Sequence, residues 1–195
     1  RAGSNNITVS QIAQEQRSVS NGFASETAAF TAESFTLSLS IGSTSATTTE
    51  ITVTDASLQG TVSAINAANV GVTAEIVDTG VAGDRYRIQL IGETGAEQAF
   101  SLASDDDSIS FSSVQAATDA QLNVNGIEFT RSTNVIDDVL TGVSLTVNTM
   151  TDGAANLNIS QDNSQARANI VDFVAIYNEA QRQMKDLANS SIDGA

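Results

Sequence analysis

Residues 119–147 read DAQLNVNGIEFTRSTNVIDDVLTGVSLTV, and this stretch decides what kind of fold the chain adopts. Leu122, Val124, Ile127 and Phe129 flank Asn125-Gly126 in an apolar-polar alternation. A period of two belongs to a strand with one buried face, and Asn-Gly supplies the two positive-φ residues that a tight type I′ turn demands. The spacing therefore predicts a β-hairpin. Beyond it, residues 135–140 read as a loop or short helical turn, and residues 143–147 and 157–159 as further strands. Such strands need a partner sheet, and the partner that demands least is the β-branched run at residues 7–12. Pairing them makes a discontinuous β-rich domain of residues 1–34 and 114–162, with residues 35–113 inserted into it.

The intervening segment has its own plan. Phe35, Leu37, Leu39 and Ile41 alternate with Thr36, Ser38 and Ser40, which predicts a half-buried strand, and residues 51–53 predict a second. Asp55 or Ser57 can cap a short helix that carries Leu58, Val62 and Ile65 at helical spacing. Residues 69–71 end it. Val72, Ala74 and Ile76 then alternate, a glycine-punctuated turn follows at residues 78–84, and Tyr86, Ile88 and Leu90 share one side of a last strand. Residues 100–102 and 109–111 add edge strands. The expected fold class is α+β, mostly β: a discontinuous β-rich domain, a small inserted α+β domain, and a C-terminal amphipathic helix.

Composition narrows function by exclusion. A net charge of −15, from 8 basic against 23 acidic residues, repels phosphate backbones and anionic headgroups, so neither nucleic acid nor membrane insertion is expected. No apolar run reaches the length needed to cross a bilayer. The chain has neither Cys nor His, which removes disulfides, Ser-His-Asp and Cys-His triads, tetrahedral zinc sites and the facial triad of non-haem iron. With an aromatic fraction of 5% and much Ala, Ser and Thr, the cores are expected to be thin.

The remaining candidates for chemistry are weak. Asp105-Asp106-Asp107 lacks the alternating acids, central Gly and terminal Glu of a calcium loop, and reads as a solvated loop. Paired carboxylates for glycoside hydrolysis arise by number alone, and no Trp is present to stack on a sugar. The glycines at 80–83 and 92–95 match neither phosphate-binding pattern and read as hairpin loops. Arg85 and Arg87 flank Tyr86, and either anchor an acidic neighbour or balance local acids. Asn134, Asp137 and Gly142 read as turn and cap residues. No catalytic, cofactor-binding or metal-binding residue is assigned, and no enzyme is expected.

The last segment, residues 163–195, differs in kind. Asp162, Asn163 or Ser164 can cap a helix whose apolar residues Ile170, Phe173, Tyr177, Ala180, Met184 and Leu187 fall in a three-four-three-four-three spacing. That narrow seam either docks back on the sheet or meets a partner helix, and no other stretch of the chain supplies a helix of comparable length.

Four blocks carry a family resemblance. Residues 132–145, STNVIDDVLTGVSL, resemble the pattern S-N-x-I-x-D-x-x-x-G-V-x-L-x-L of the flagellar filament-capping proteins, also called hook-associated protein 2. Residues 7–16 are similar to that family's V-x-x-L-A-Q-x-Q strand, with Ile12 where Leu is usual, and Ser20 to Phe23 to its S-x-x-F. Residues 35–92 resemble the flagellin IN module, and residues 172–178, DFVAIYN, the F-V-x-x-Y-N helix. The resemblance implies a two-domain head with one domain inserted in the other, followed by a helical leg. It also implies a ring-like homo-oligomer at the filament tip that helps flagellin fold and insert, and extracellular placement after export through the flagellar channel. Alternatives are another hook-associated protein, a flagellin with an IN insertion, or a surface adhesin that binds host glycans. The chain starts at Arg1 without Met, and reads as a piece of a longer protein.

Overall fold

The computed structural model describes residues 3–160 and 162–190, the last five of these by their backbone alone. They are mostly β, with two α-helices. The chain divides into two units, one of Asn5–Leu157 and one that contains the C-terminal helix.

In the first unit the larger core is built from alternating strands. β3 (Phe35–Ile41) pairs antiparallel with β4 (Thr47–Val53) and β7 (Phe100–Ser104) in the order β4-β3-β7. A four-stranded sheet runs β5-β6-β2-β8, from β5 (Thr73–Asp78), β6 (Tyr86–Thr94), β2 (Glu15–Ser20) and β8 (Phe111–Gln115). Helix α1 (Leu58–Ala68) adds Leu58 and Ile65 to a core shared with Leu37, Leu39, Ile88 and Leu90, all at most 1% exposed. Each such side chain contributes on the order of 2 kcal/mol through removal of apolar area from water. Of the two caps expected, Ser57 holds the helix: its Oγ accepts the Gly60 N–H at 3.0 Å, while the Asp55 carboxylate accepts the Ser57 N–H at 3.1 Å. Asn69, at φ 49°, ends it.

Strand β2 joins a sheet made by residues of the segment expected to be inserted. Residues 15–20 belong to the segment assigned to the other domain, yet Arg17, Ser18 and Val19 pair with Ile91, Leu90 and Gln89 of β6, and β8 lies on the opposite side. The inward residues of β2 are Gln16, Ser18 and Ser20, all buried and all polar. Hydrogen bonds take the place of apolar contact: Ser20 Oγ accepts the Ile88 N–H at 2.8 Å, and the Gln16 amide pairs with the N–H and C=O of Phe100. A strand with no buried apolar face leaves nothing for hydrophobic periodicity to detect. The edge strand expected at 109–111 likewise lies at 111–115, and Ile109 reaches the core from the loop before it, 2% exposed.

The smaller core gathers around the predicted hairpin. β9 (Ala120–Val124) and β10 (Ile127–Arg131) pair across Asn125-Gly126, at φ 54° and 89°, the left-handed pair a type I′ turn needs. β1 (Gly3–Gln11) joins this sheet, as the sequence predicts, and lies against β9 with Ile7 opposite Val124 and Val9 opposite Leu122; the order is β10-β9-β1-β13, where β13 is Ala155–Ile159. Residues 135–140, expected as a loop or helical turn, form strand β11 (Val135–Leu140), paired with β12 (Val143–Thr146). Three β-branched residues, Val135, Ile136 and Val139, and the Gly142 turn at φ 77° favour that hairpin, and it sends Ile136 into the core at 2% exposure.

Candidate assembly interface

The structure places the predicted seam on α2 (Ser164–Ser190). Asp162 starts the helix, its carboxylate accepting the Ser164 N–H at 2.8 Å; hydrogen bonding from the Ser164 side chain, then from its backbone, holds this carboxyl below its ordinary range. Ile170, Phe173, Tyr177 and Met184 are 63%, 68%, 55% and 56% exposed, Ala180 is exposed, and the Leu187 side chain lies outside the described residues. The Phe173 and Tyr177 rings stack one turn apart with centroids at 6.5 Å, and Gln181 Nε2 donates to the Tyr177 hydroxyl at 3.1 Å. Three more apolar side chains escape a reading confined to seam positions: Val171, Val174 and Ile176 are 65%, 48% and 69% exposed. Their presence was legible, since six of the eight residues from 170 to 177 are Ile, Val, Phe or Tyr. The arrangement suits association rather than chemistry: large apolar side chains in water gain free energy when another surface covers them.

The other candidates resolve into structural roles. The Asp105 carboxylate accepts the Thr36 N–H at 2.7 Å, and that of Asp106 the Ser108 N–H at 2.8 Å. Among the described residues no group of three His, Cys, Asp or Glu is placed to hold a metal ion. Arg85 makes a two-pronged ion pair with Asp78, closest contact 2.7 Å, which lowers the Asp78 pKa, and Arg87 donates to the Ser20 carbonyl at 2.9 Å. Both therefore satisfy local partners.

In the 132–145 block Gly142 takes its expected turn, at φ 77°, while Asn134 plays another part. Asn134 does not bond its own backbone: its Oδ1 accepts the N–H of Ala13, and its Nδ2 donates to the Ala13 carbonyl, each at 2.8 Å. The amide thus acts as a strand neighbour for the segment that links β1 to β2. Asp138 binds Arg131 through Nη2 at 2.8 Å and through Nε, tying β11 to the end of β10. A cleft of about 360 Å³ opens onto this core, lined by Ile7, Val9, Leu122, Leu145, Val147 and Leu157 among others, with no titratable side chain in its wall.

Residues 117–193 match the family model described as flagellar hook-associated protein 2 C-terminus. Flagellar hook-associated protein 2 of Escherichia coli K12 is 33% identical over 194 residues, covering 91% of this chain. The crystal structure of the D2-D3 domains of the flagellar cap protein FliD from Serratia marcescens is 30% identical, with a TM-score of 0.68, over 82% of this chain and 94% of that one. The chain belongs to the flagellar hook-associated protein 2 family. The crystal structure of the D1-D2-D3 domains of the flagellar cap protein FliD from E. coli shares the mostly β fold at a TM-score of 0.74 and 28% identity, covering 92% of this chain and 57% of that one. The chain spans well under two thirds of the curated relatives it matches, 41% of the E. coli protein and 12% of a Helicobacter pylori one. The rival readings raised from the sequence, an adhesin or a different hook-associated protein, gain no support from these matches.

Proposed function

We propose that this chain is the head and upper leg of a cap at the distal end of the bacterial flagellar filament, where it assists flagellin to fold and insert as the filament grows. The observation that carries this reading is family membership, together with the solved D2-D3 pair of a flagellar cap protein that the chain covers to 94%. In this reading residues 35–113 are an inserted α+β domain whose sheet takes β2 as an inner strand, and the β-rich remainder forms a plate. The seam of Ile170, Phe173, Tyr177, Ala180, Met184 and Leu187 continues into a helical leg that meets a second helix. The protein works as a ring-like homo-oligomer outside the cell, exported through the flagellar channel, and needs no reactive centre. Contacts between heads are small and polar, so they rearrange as subunits pass beneath.

The test is genetic and physical together. Cells that lack this protein should export flagellin into the medium as monomer and bear no filaments, and supplying the protein should restore them. Filaments of normal length in the deleted strain would remove the reading.

A further inference from the structure

The chain contains two Asn-Gly steps, Asn21-Gly22 and Asn125-Gly126. Both asparagines are exposed, so water and hydroxide reach them. Glycine has no side chain to shield its peptide nitrogen, and in an unconstrained chain that nitrogen attacks the preceding asparagine. It loses its proton to hydroxide and bonds to Cγ, the Cγ–Nδ2 bond breaks, and ammonia departs to leave a cyclic imide. Water then opens the imide on one side or the other. One product is aspartate; the other is isoaspartate, whose main chain runs through Cβ and Cγ. Water is the only co-reactant, and nothing is oxidised or reduced.

The fold holds both asparagine side chains at both ends. Asn125 Oδ1 accepts the Asn6 N–H at 3.0 Å, and Asn125 Nδ2 donates to Asn5 Oδ1 at 2.8 Å. The Asn125 N–H donates to the Asn6 carbonyl at 3.0 Å. The Gly126 N–H, whose nitrogen is the attacking atom, donates to Asn123 Oδ1 at 2.8 Å. At the other step Asn21 Oδ1 accepts the Ser110 N–H at 2.9 Å, and Asn21 Nδ2 donates to the Ser108 carbonyl at 3.0 Å. Asn5 lies 120 positions from Asn125 and Ser108 lies 87 from Asn21, so only the folded chain supplies these holders. Ring closure turns the side chain back on its own backbone and releases Nδ2. A carboxamide whose oxygen and nitrogen are both tied to another segment must let go first.

We infer that Asn21-Gly22 and Asn125-Gly126 are latent modification sites, deamidated through a cyclic imide only when residues 108–110 leave Asn21 or residues 5–6 leave the turn between β9 and β10. Once made, the change keeps the segment open. A carboxylate at position 125 accepts hydrogen bonds but cannot donate to Asn5 Oδ1. Isoaspartate there lengthens the main chain of a two-residue turn whose geometry fixes the register of β9 and β10.

The test follows deamidation at each step by peptide mass spectrometry after incubation in mildly alkaline buffer. It compares the folded protein, the same protein unfolded in urea, and the folded variants Asn5→Ala and Asn123→Ala, with circular dichroism to establish that strand content is kept. Folded wild type should convert at both steps about tenfold or more slowly than the unfolded chain, because closure waits on local opening. Each variant should speed conversion at position 125 by about threefold or more, the effect of losing one hydrogen bond, and leave position 21 unchanged. Equal rates in the folded and unfolded protein overturn the inference. So do variants in which position 125 stays as slow as in wild type, or in which both positions speed up together. Where a variant loses its strands, the wild-type comparison decides alone.

Discussion

At the scale of single residues, side-chain amides do work that the thin cores leave undone. Asn134 pairs with both the N–H and the C=O of Ala13, Gln16 with those of Phe100, and Asn66 with those of Ala74 at 2.8 and 2.9 Å. Each amide stands where a neighbouring strand would, and satisfies two backbone groups that would otherwise be buried unpaired. Asn134→Ala should therefore lower stability by about 2 kcal/mol, because Ala13 is 3% exposed and water does not replace the lost partner. Urea denaturation checks this, and a change within error of zero would show that the pairing is dispensable. Nothing in the residues around Asn134 reveals this role, since its partner is 121 positions away.

At the scale of elements, visibility in the sequence follows the source of stabilisation. The hairpin of β9 and β10, strand β3 and helix α1 are held by apolar faces with a regular period, and all are legible. β2 is held by buried polar groups and pairing on both sides, and β11 by its partner β12, so neither stands out locally. α2 is legible as a helix with a seam, while Val171, Val174 and Ile176 lie off the seam positions. Phe173→Ala with Tyr177→Ala should weaken self-association by tenfold or more, roughly the loss expected when two large aromatic anchors are truncated at an interface. Sedimentation at several concentrations measures this. Loss of β signal in circular dichroism would instead place these rings in the folding of the body.

At the scale of the whole molecule, acid has two opposite effects. Six carboxyls, those of Glu15, Asp78, Glu97, Asp106, Asp138 and Asp162, lie below their ordinary pKa values because hydrogen bonds hold them ionised, led by Arg17, Arg85, Ser43, Ser108, Arg131 and Ser164 respectively. A carboxyl depressed by folding stabilises the fold above its unfolded pKa, and that contribution is lost as pH falls through the folded value. Protonation of the remaining acids meanwhile relieves the repulsion of a −15 chain. The comparison that separates the two is Asp138→Asn against wild type. The variant should melt lower at neutral pH, and the gap should close as pH drops below the carboxylate range. A gap that stays constant down to the lowest pH would mean that the Arg131 pair contributes nothing to stability.

The amino-acid sequence by itself determined the β-rich class, the Asn-Gly hairpin, the joining of residues 7–12 to the later strands and the amphipathic closing helix, because each rests on local turn chemistry or on a period that a burial face imposes. It also excluded mechanisms that use a His or Cys of this chain, since it has neither. Only the tertiary structure decided that β2 crosses into the other sheet, that residues 135–140 are a strand, and that Asn134 clamps Ala13. The first and last of these are built from polar contacts between residues far apart in the chain, and the second from pairing with β12 and the entry of Ile136 into the core. Such polar contacts leave no period, because any Ser, Asn or Gln can serve once the fold has brought its partner within 3 Å.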